Sequence, residues 1–162
     1  MRPLHLPPSA LEQISRHARE TYPDECCGFL IAAADPDDPR AARQVLEVRR
    51  ASNEYEGERR RRFVIGPNEL RALERSLERS SNVVGGFYHS HPDHPAHPSQ
   101  FDQEHAWPWY TYLVVSVTSQ GIPAVGAFEL DADSGTFHEV TLEVPDAASV
   151  GVTENLRAAG GR

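Results

Sequence analysis

The chain is poor in cysteine and methionine, and it carries no surplus of positive charge. Its 162 residues include two cysteines, Cys26 and Cys27, which are sequence neighbours and a poor pair for a disulfide. No disulfide framework is therefore expected, and the cytoplasm is the expected compartment. Sixteen Lys and Arg against 24 Asp and Glu give a net charge of −8. That balance argues against a nucleic-acid binder, which would present a basic face to phosphates. No apolar run approaches the roughly 20 residues that span a bilayer. Met1-Arg2-Pro3-Leu4-His5 lacks the hydrophobic core of a signal peptide. There is no internal repeat.

What is present suits one domain: 39% hydrophobic and 25% charged residues are a globular composition. Residues 1–145 are read as that domain and the small, polar residues 146–162 as a flexible tail. Ser9 and Glu12 have capping-box spacing, and Leu11, Ile14, Ala18 and Tyr22 share a helical face. The spacing predicts a helix over residues 9–22. Apolar runs at 27–33 and 44–49 read as strands, separated by an acidic, proline-rich turn at 35–39. Residues 51–62 read as a charged loop and 63–65 as a third short strand. A helix follows from Gly66-Pro67 to about residue 82, lined by Leu70, Leu73 and Leu77. Residues 83–91 return to a strand whose Gly85-Gly86 pair predicts a close backbone approach. Ser99 caps a short helix to residue 105. Strands at 110–118, 124–130 and 136–144 complete a mixed α/β unit.

The chemistry concentrates between His89 and Asp102, which enclose four histidines and two aspartates. His89 and His91 are two apart on a strand, so both imidazoles face the same way and can reach one ion. Catalytic zinc sites take three protein ligands and leave a fourth position for water. Two patterns overlie these letters. His89-Ser90-His91-Pro92-Asp93-His94 spells the H-x-H-x-D-H opening of metallo-β-lactamase-like hydrolases, which would need a second metal half-site and a two-sheet sandwich. His89-Ser90-His91-Pro92, then Pro98-Ser99-Gln100-Phe101-Asp102, spells H-x-H-P-x(5)-P-S-x-x-D.

The second pattern resembles the core of the JAMM (MPN-plus) metallopeptidase family in its compact prokaryotic type. The family's upstream glutamate motif, E-x-C-G-x-L, is matched by Glu25-Cys26-Cys27-Gly28-Phe29-Leu30. The resemblance runs from the first helix to the last strands. It implies a curved mixed β-sheet flanked by helices, similar to the cytidine-deaminase-like architecture, although the deaminases' own H-x-E and P-C-x-x-C signature is absent. It also implies one Zn²⁺ held by His89, His91 and Asp102 with a water, Glu25 as general base and Ser99 as oxyanion donor. Ser99 also reads as a helix cap, either alone or together with that role. By the same resemblance the substrate is a ubiquitin-like or sulfur-carrier protein, cut after its C-terminal glycine. MPN relatives without metal ligands act as scaffolds; this chain keeps every ligand position.

Other features read more plainly. Cys27 starts an apolar strand and reads as a buried small hydrophobe; Cys26 should point the opposite way. His94 and His97 read as rim residues and His105 as a neighbour of the site. His5, His17 and His138 read as surface or packing residues. Arg59, Arg60, Arg61 and Arg62 form a basic run in an acidic chain, either solvated or in contact with an acidic partner. Gly160-Gly161-Arg162 reads as a flexible terminus.

Overall fold

Two prolines open the first helix. In the computed structural model, which describes residues 2–34, 37–38 and 41–145, α1 spans Pro8–Thr21 with Pro7 at the N-cap and no side-chain cap. The expected capping box of Ser9 and Glu12 does not form. A proline at the first helical position lacks an N–H that would be unsatisfied there anyway, and its fixed φ suits the first turn. The amides of Ala10 and Leu11 donate to the Pro7 carbonyl. The predicted inner face is correct: Leu11, Ile14 and Ala18 are buried.

The strands are β1 (Leu4–His5), β2 (Cys27–Ala33), β3 (Arg43–Ala51), β4 (Asn82–Pro92), β5 (Thr111–Thr118), β6 (Gly121–Leu130), β7 (Phe137–Val140) and β8 (Leu142–Glu143). The other helices are α2 (Pro67–Leu77) and α3 (Gln100–Glu104). The strands form one sheet in the order β7-β6-β5-β4-β2-β3-β1-β8, parallel at β4/β5, β1/β3 and β1/β8 and antiparallel elsewhere. β7 and β8 end the order on opposite sides, yet only Thr141 separates them in sequence. The sheet must therefore curl until its edges nearly meet. The helix α1 packs against β3, β4, β5 and β6, and its Leu11, Ile14 and Ala18 join Leu4, Leu30, Tyr88, Leu113, Val115 and Val140 in the main core. Each large apolar side chain so buried contributes about 1.5–3 kcal/mol. The other face carries α2, packed through Leu73 on Phe29, Ile31, Phe87 and Tyr112.

The mixed α/β class and the curved sheet agree with the expectation; several boundaries do not. Residues 63–65 join no ladder; the Val64 amide and carbonyl instead bond to the Asn53 side chain and the Glu54 amide. The second helix stops at Leu77, and residues 78–81 finish in turns. The single strand expected at 136–144 is broken at Thr141. The two-residue β1 was not expected at all, being too short for periodicity to reveal. The Gly85-Gly86 reading holds: a Cβ on Gly86 would fall 1.8 Å from the Thr111 carbonyl oxygen, so only glycine lets β5 approach there. The tail at 146–162 and most of the acidic turn at 35–39 lie outside the described residues. No helix among the described residues is long and apolar enough to cross a membrane.

Candidate metal centre

Alternation along β4 sorts its side chains onto two faces. Tyr88 points into the core around α1, whereas Phe87 joins the cluster under α2. His89 and His91 share the face of Phe87, and both are buried. Cys27 is the antiparallel partner of His89, which brings Glu25, two residues earlier, to the same end of the sheet. The chain after β4 turns sharply through Asp93, whose φ of 58° lies in the left-handed region. It returns as α3, where the expected cap is present. Asp102 N–H donates to Ser99 Oγ at 3.0 Å, and Ser99 N–H donates to Asp102 Oδ2 at 2.8 Å. This reciprocal box fixes the Asp102 carboxylate as firmly as it fixes the helix.

Three donor atoms converge. Asp102 Oδ2 lies 3.0 Å from His89 Nε2 and 3.1 Å from His91 Nε2, and the two Nε2 atoms are 3.1 Å apart. A tetrahedral zinc with bonds of about 2.0–2.1 Å has ligand-to-ligand edges of roughly 3.3 Å, so the triangle has nearly the right size. His91 Nδ1 lies 3.0 Å from the Pro95 carbonyl; a carbonyl only accepts, so Nδ1 carries the proton and Nε2 presents its lone pair. Phe63 stacks on His89 at 4.4 Å between centroids and holds that ring in place. His89 Nδ1 and Glu25 Oε1 are buried without a hydrogen-bond partner. The donor set, the locked His91 tautomer and the orphaned Glu25 oxygen fit a zinc ion.

Electrostatics separates the two carboxylates. Burial pushes the Asp102 carboxyl up, but His89, His91 and the Ser99 amide outweigh it and hold the group well below the usual range. Glu25 has no such partners; burial first, then the Asp102 charge, push its carboxyl up to about 9. Burial also lowers the pKa of His89, which favours the neutral ring a metal requires. The ligand atoms of Glu25, His89 and His91 all lie within 4.8 Å of one another, so Glu25 borders the same space as Asp102.

The structure thus brings Glu25, His89, His91 and Asp102 together with Ser99 beside them. Glu25, His91 and Ser99 line one cleft with Arg60, Arg61, His94 and His97. Asp93 and His94, which the β-lactamase-like pattern requires, are exposed, and the Asp93 carboxylate accepts a hydrogen bond from Tyr22 at 2.7 Å. His105 bonds back to the Phe101 carbonyl and lines an apolar cavity of about 210 Å³ behind His89 and Asp102. His5 and His138 pair with surface acids, and His17 packs in the interior. Cys26 and Cys27 are both buried free thiols, with Cys26 in the α1 core as its opposite orientation implied.

Sequence reasoning missed three supports. Asn53 donates to the carbonyls of Glu25 and Arg62 and accepts from the amides of Tyr55 and Val64, so it clamps the charged loop against the site. A lone amide residue two positions after a strand is its only signal. Phe63 leaves the expected strand to stack on His89, and the Ser90 hydroxyl accepts from the Cys26 amide at 2.8 Å and holds the strand entry beside Glu25.

Residues 7–129 match the family model described as prokaryotic homologs of the JAB domain. The chain belongs to this prokaryotic JAB family. It is 35% identical over 118 residues to a protein named desampylase from Haloferax volcanii, covering 70% of this chain and 80% of that protein. A solution structure of a Salinibacter ruber protein is 35% identical, with a TM-score of 0.64 over 90% of this chain and 93% of that one. A second, from Desulfitobacterium hafniense, is 26% identical, with a TM-score of 0.73 over 88% and 93% of the two chains. JAB membership agrees with the family resemblance carried by Glu25, His89-Ser90-His91-Pro92 and Ser99 to Asp102.

Proposed function

We propose that this JAB-family chain is a zinc-dependent hydrolase that cuts the peptide or isopeptide bond after the C-terminal glycine of a ubiquitin-like or sulfur-carrier protein. The observation that carries the reading is the convergence of His89 Nε2, His91 Nε2 and Asp102 Oδ2 beside the unpartnered, buried Glu25 carboxyl. The similarity to a desampylase supports a hydrolase acting on ubiquitin-like conjugates. The catalytic unit we assign is residues 1–145, and the two free thiols suit a reducing, cytoplasmic setting.

We assign His89, His91 and Asp102 as the zinc ligands, since these atoms are the closest set and the Asp102 carboxylate is held ionised. The ion would supply Lewis acidity and hydroxide from water at neutral pH. Glu25, buried and unpaired beside the ligands, would be favoured as the carboxylate by the charge of the ion; it takes the proton of the attacking water and returns it to the leaving amine nitrogen as the C–N bond breaks. Ser99 Oγ accepts from the Asp102 amide, which leaves its own O–H free to donate to the carbonyl oxygen as negative charge develops there. Glu25 and His89 are each 1% exposed, so the scissile bond enters a confined place, and a preceding glycine presents no side chain to clash.

The test is incubation of the zinc-loaded protein with folded ubiquitin-like carriers bearing an amino acid, a peptide or a lysine-linked protein after Gly-Gly, read by intact mass. The carrier ending in Gly-Gly should appear with the freed partner, stop with chelator and return with zinc. Intact conjugates throughout would contradict the reading. Efficient cleavage of generic peptides with no preference for glycine would leave the zinc chemistry standing and remove the carrier assignment.

A further inference from the structure

The basic run divides into two pairs with different roles. Arg59 Nε donates to the Tyr55 carbonyl at 3.1 Å, and Arg62 donates to the Tyr55 hydroxyl at 3.1 Å. The Arg62 guanidinium also lies 4.7 Å from the Phe101 ring centroid and 5.9 Å from that of Tyr55. These two arginines fasten the loop to itself and to α3. Arg60 and Arg61 differ: among the described residues neither guanidinium has an ion-pair or hydrogen-bond partner, yet both line the cleft that holds Glu25, His91 and Ser99. Glu25 is the only acid in that lining, although the chain has 24 acidic residues and a net charge of −8.

A run of surface charge is usually a solvated loop; this one is pinned to the site. The Glu25 amide donates to the Arg59 carbonyl at 2.7 Å. Asn53 Nδ2 donates to the carbonyls of Glu25 at 3.2 Å and Arg62 at 3.0 Å. The two unpaired guanidiniums therefore ride on backbone that is bonded directly to the proposed general base. This placement puts Arg60 and Arg61 at the edge of the proposed reaction site.

We infer that Arg60 and Arg61 bind a carboxylate of the substrate next to the scissile bond, an inference that rests on the hydrolytic reading above. The planar guanidinium presents paired donors that match a carboxylate, which a lysine ammonium does only as a point charge. Two carboxylates share that chemistry. One is the free α-carboxylate of a single amino acid joined through its α-nitrogen to the carrier's glycine. The other is an acidic side chain at the start of a longer attached chain.

Three conjugates of one folded carrier separate these sources: Gly-Gly-Ala as free acid, Gly-Gly-Ala amide and Gly-Gly-Asp amide. Calorimetric titration into the zinc-loaded Glu25→Gln protein reads affinity without turnover. One or both acids should bind roughly 5–10-fold more tightly than the alanine amide, the size expected of a partly exposed charged pair. The acid that shows the preference identifies the source. The preference should vanish in Arg60→Gln/Arg61→Gln on the same background and persist in part in Arg60→Lys/Arg61→Lys. Equal affinity for all three conjugates, or a preference that survives the double Gln substitution, overturns the inference. Hydrolysis of the same conjugates by the wild-type protein is scored separately. Cleavage without a carboxylate preference removes only this inference, whereas no cleavage of any conjugate removes the hydrolytic reading.

Discussion

The two faces of β4 bury polar groups to a similar degree and do opposite things with them. On the α1 face, Tyr88 is 1% exposed and shares a 2.8 Å hydrogen bond with the buried His17, and Ser90 accepts from the Cys26 amide. On the other face, His89 and Glu25 are equally buried, yet His89 Nδ1 and Glu25 Oε1 have no partner. Among the described residues these are the two buried side-chain atoms left so. Buried polar groups are normally satisfied, and each exception asks for an explanation. The contrast teaches that a buried histidine marks a site only when its neighbours leave hydrogen-bonding or ligating capacity unused. His17 is structural by that criterion, whereas His89 Nε2 converges with His91 Nε2 and Asp102 Oδ2.

The largest expected effect lies on the open face. Glu25→Gln keeps the shape and removes the proposed proton acceptor, so turnover of a carrier conjugate should fall about 10²–10⁴-fold. Zinc content and melting temperature should stay near wild type. Near-normal turnover in this variant would erase the difference between the faces as far as chemistry goes.

A smaller effect, and one of stability alone, belongs to the closed face. A Cβ on Gly28 would fall 2.2–2.4 Å from the Tyr88 ring atoms, so Gly28→Ala must displace a ring packed in the core and strain its bond to His17. Overpacking of this kind costs about 1–3 kcal/mol, readable as a lower urea midpoint with zinc binding retained. Loss of zinc in this variant would show that the faces are mechanically coupled through β4.

An effect of comparable size, seen only as pH falls, sharpens the assignment of His17. Burial, with Arg50 nearby, lowers its pKa from 6.5 to about 4 in the folded protein. The unfolded chain therefore binds the extra proton first as pH falls. Stability from the neutral ring is fully present above about 6.5 and is lost progressively down to about 4, by roughly 2–3 kcal/mol. Urea unfolding of chelator-treated wild type and His17→Gln at pH 7.5 and 4.5 should show the wild type losing that much more than the variant. Equal losses would mean that His17 is not held neutral by its surroundings.

Most of the site was legible because its residues obey short-range rules. His89 and His91 share a strand face by alternation, and Ser99 with Asp102 follows helix-cap spacing. Glu25 sits two residues before a strand whose apolar run is unmistakable. What stayed hidden depends on tertiary placement. Nothing local tells that Pro7 and Pro8 rather than Ser9 start α1, or that Phe63 leaves the sheet to stack on His89. The break at Thr141 is likewise invisible in an alternating run, because it exists only to carry the chain from one edge of the curled sheet to the other. Asn53 shows the same limit: its four bonds join Glu25, Tyr55, Arg62 and Val64, and only the folded loop brings those partners together.

The central claim is that His89, His91 and Asp102, and not the neighbouring Asp93 and His94, hold one zinc. Metal content of the purified protein and its alanine variants, measured by elemental analysis after dialysis against a weak chelator, tests it directly. About one zinc per chain is expected in the wild type, as for a site with three protein ligands. It should be lost in His89→Ala, His91→Ala and Asp102→Ala and kept in Asp93→Ala, His94→Ala and Glu25→Gln. Zinc retained by Asp102→Ala but lost from Asp93→Ala and His94→Ala would contradict the assignment, and a wild-type protein with no affinity for zinc would overturn the metal centre altogether.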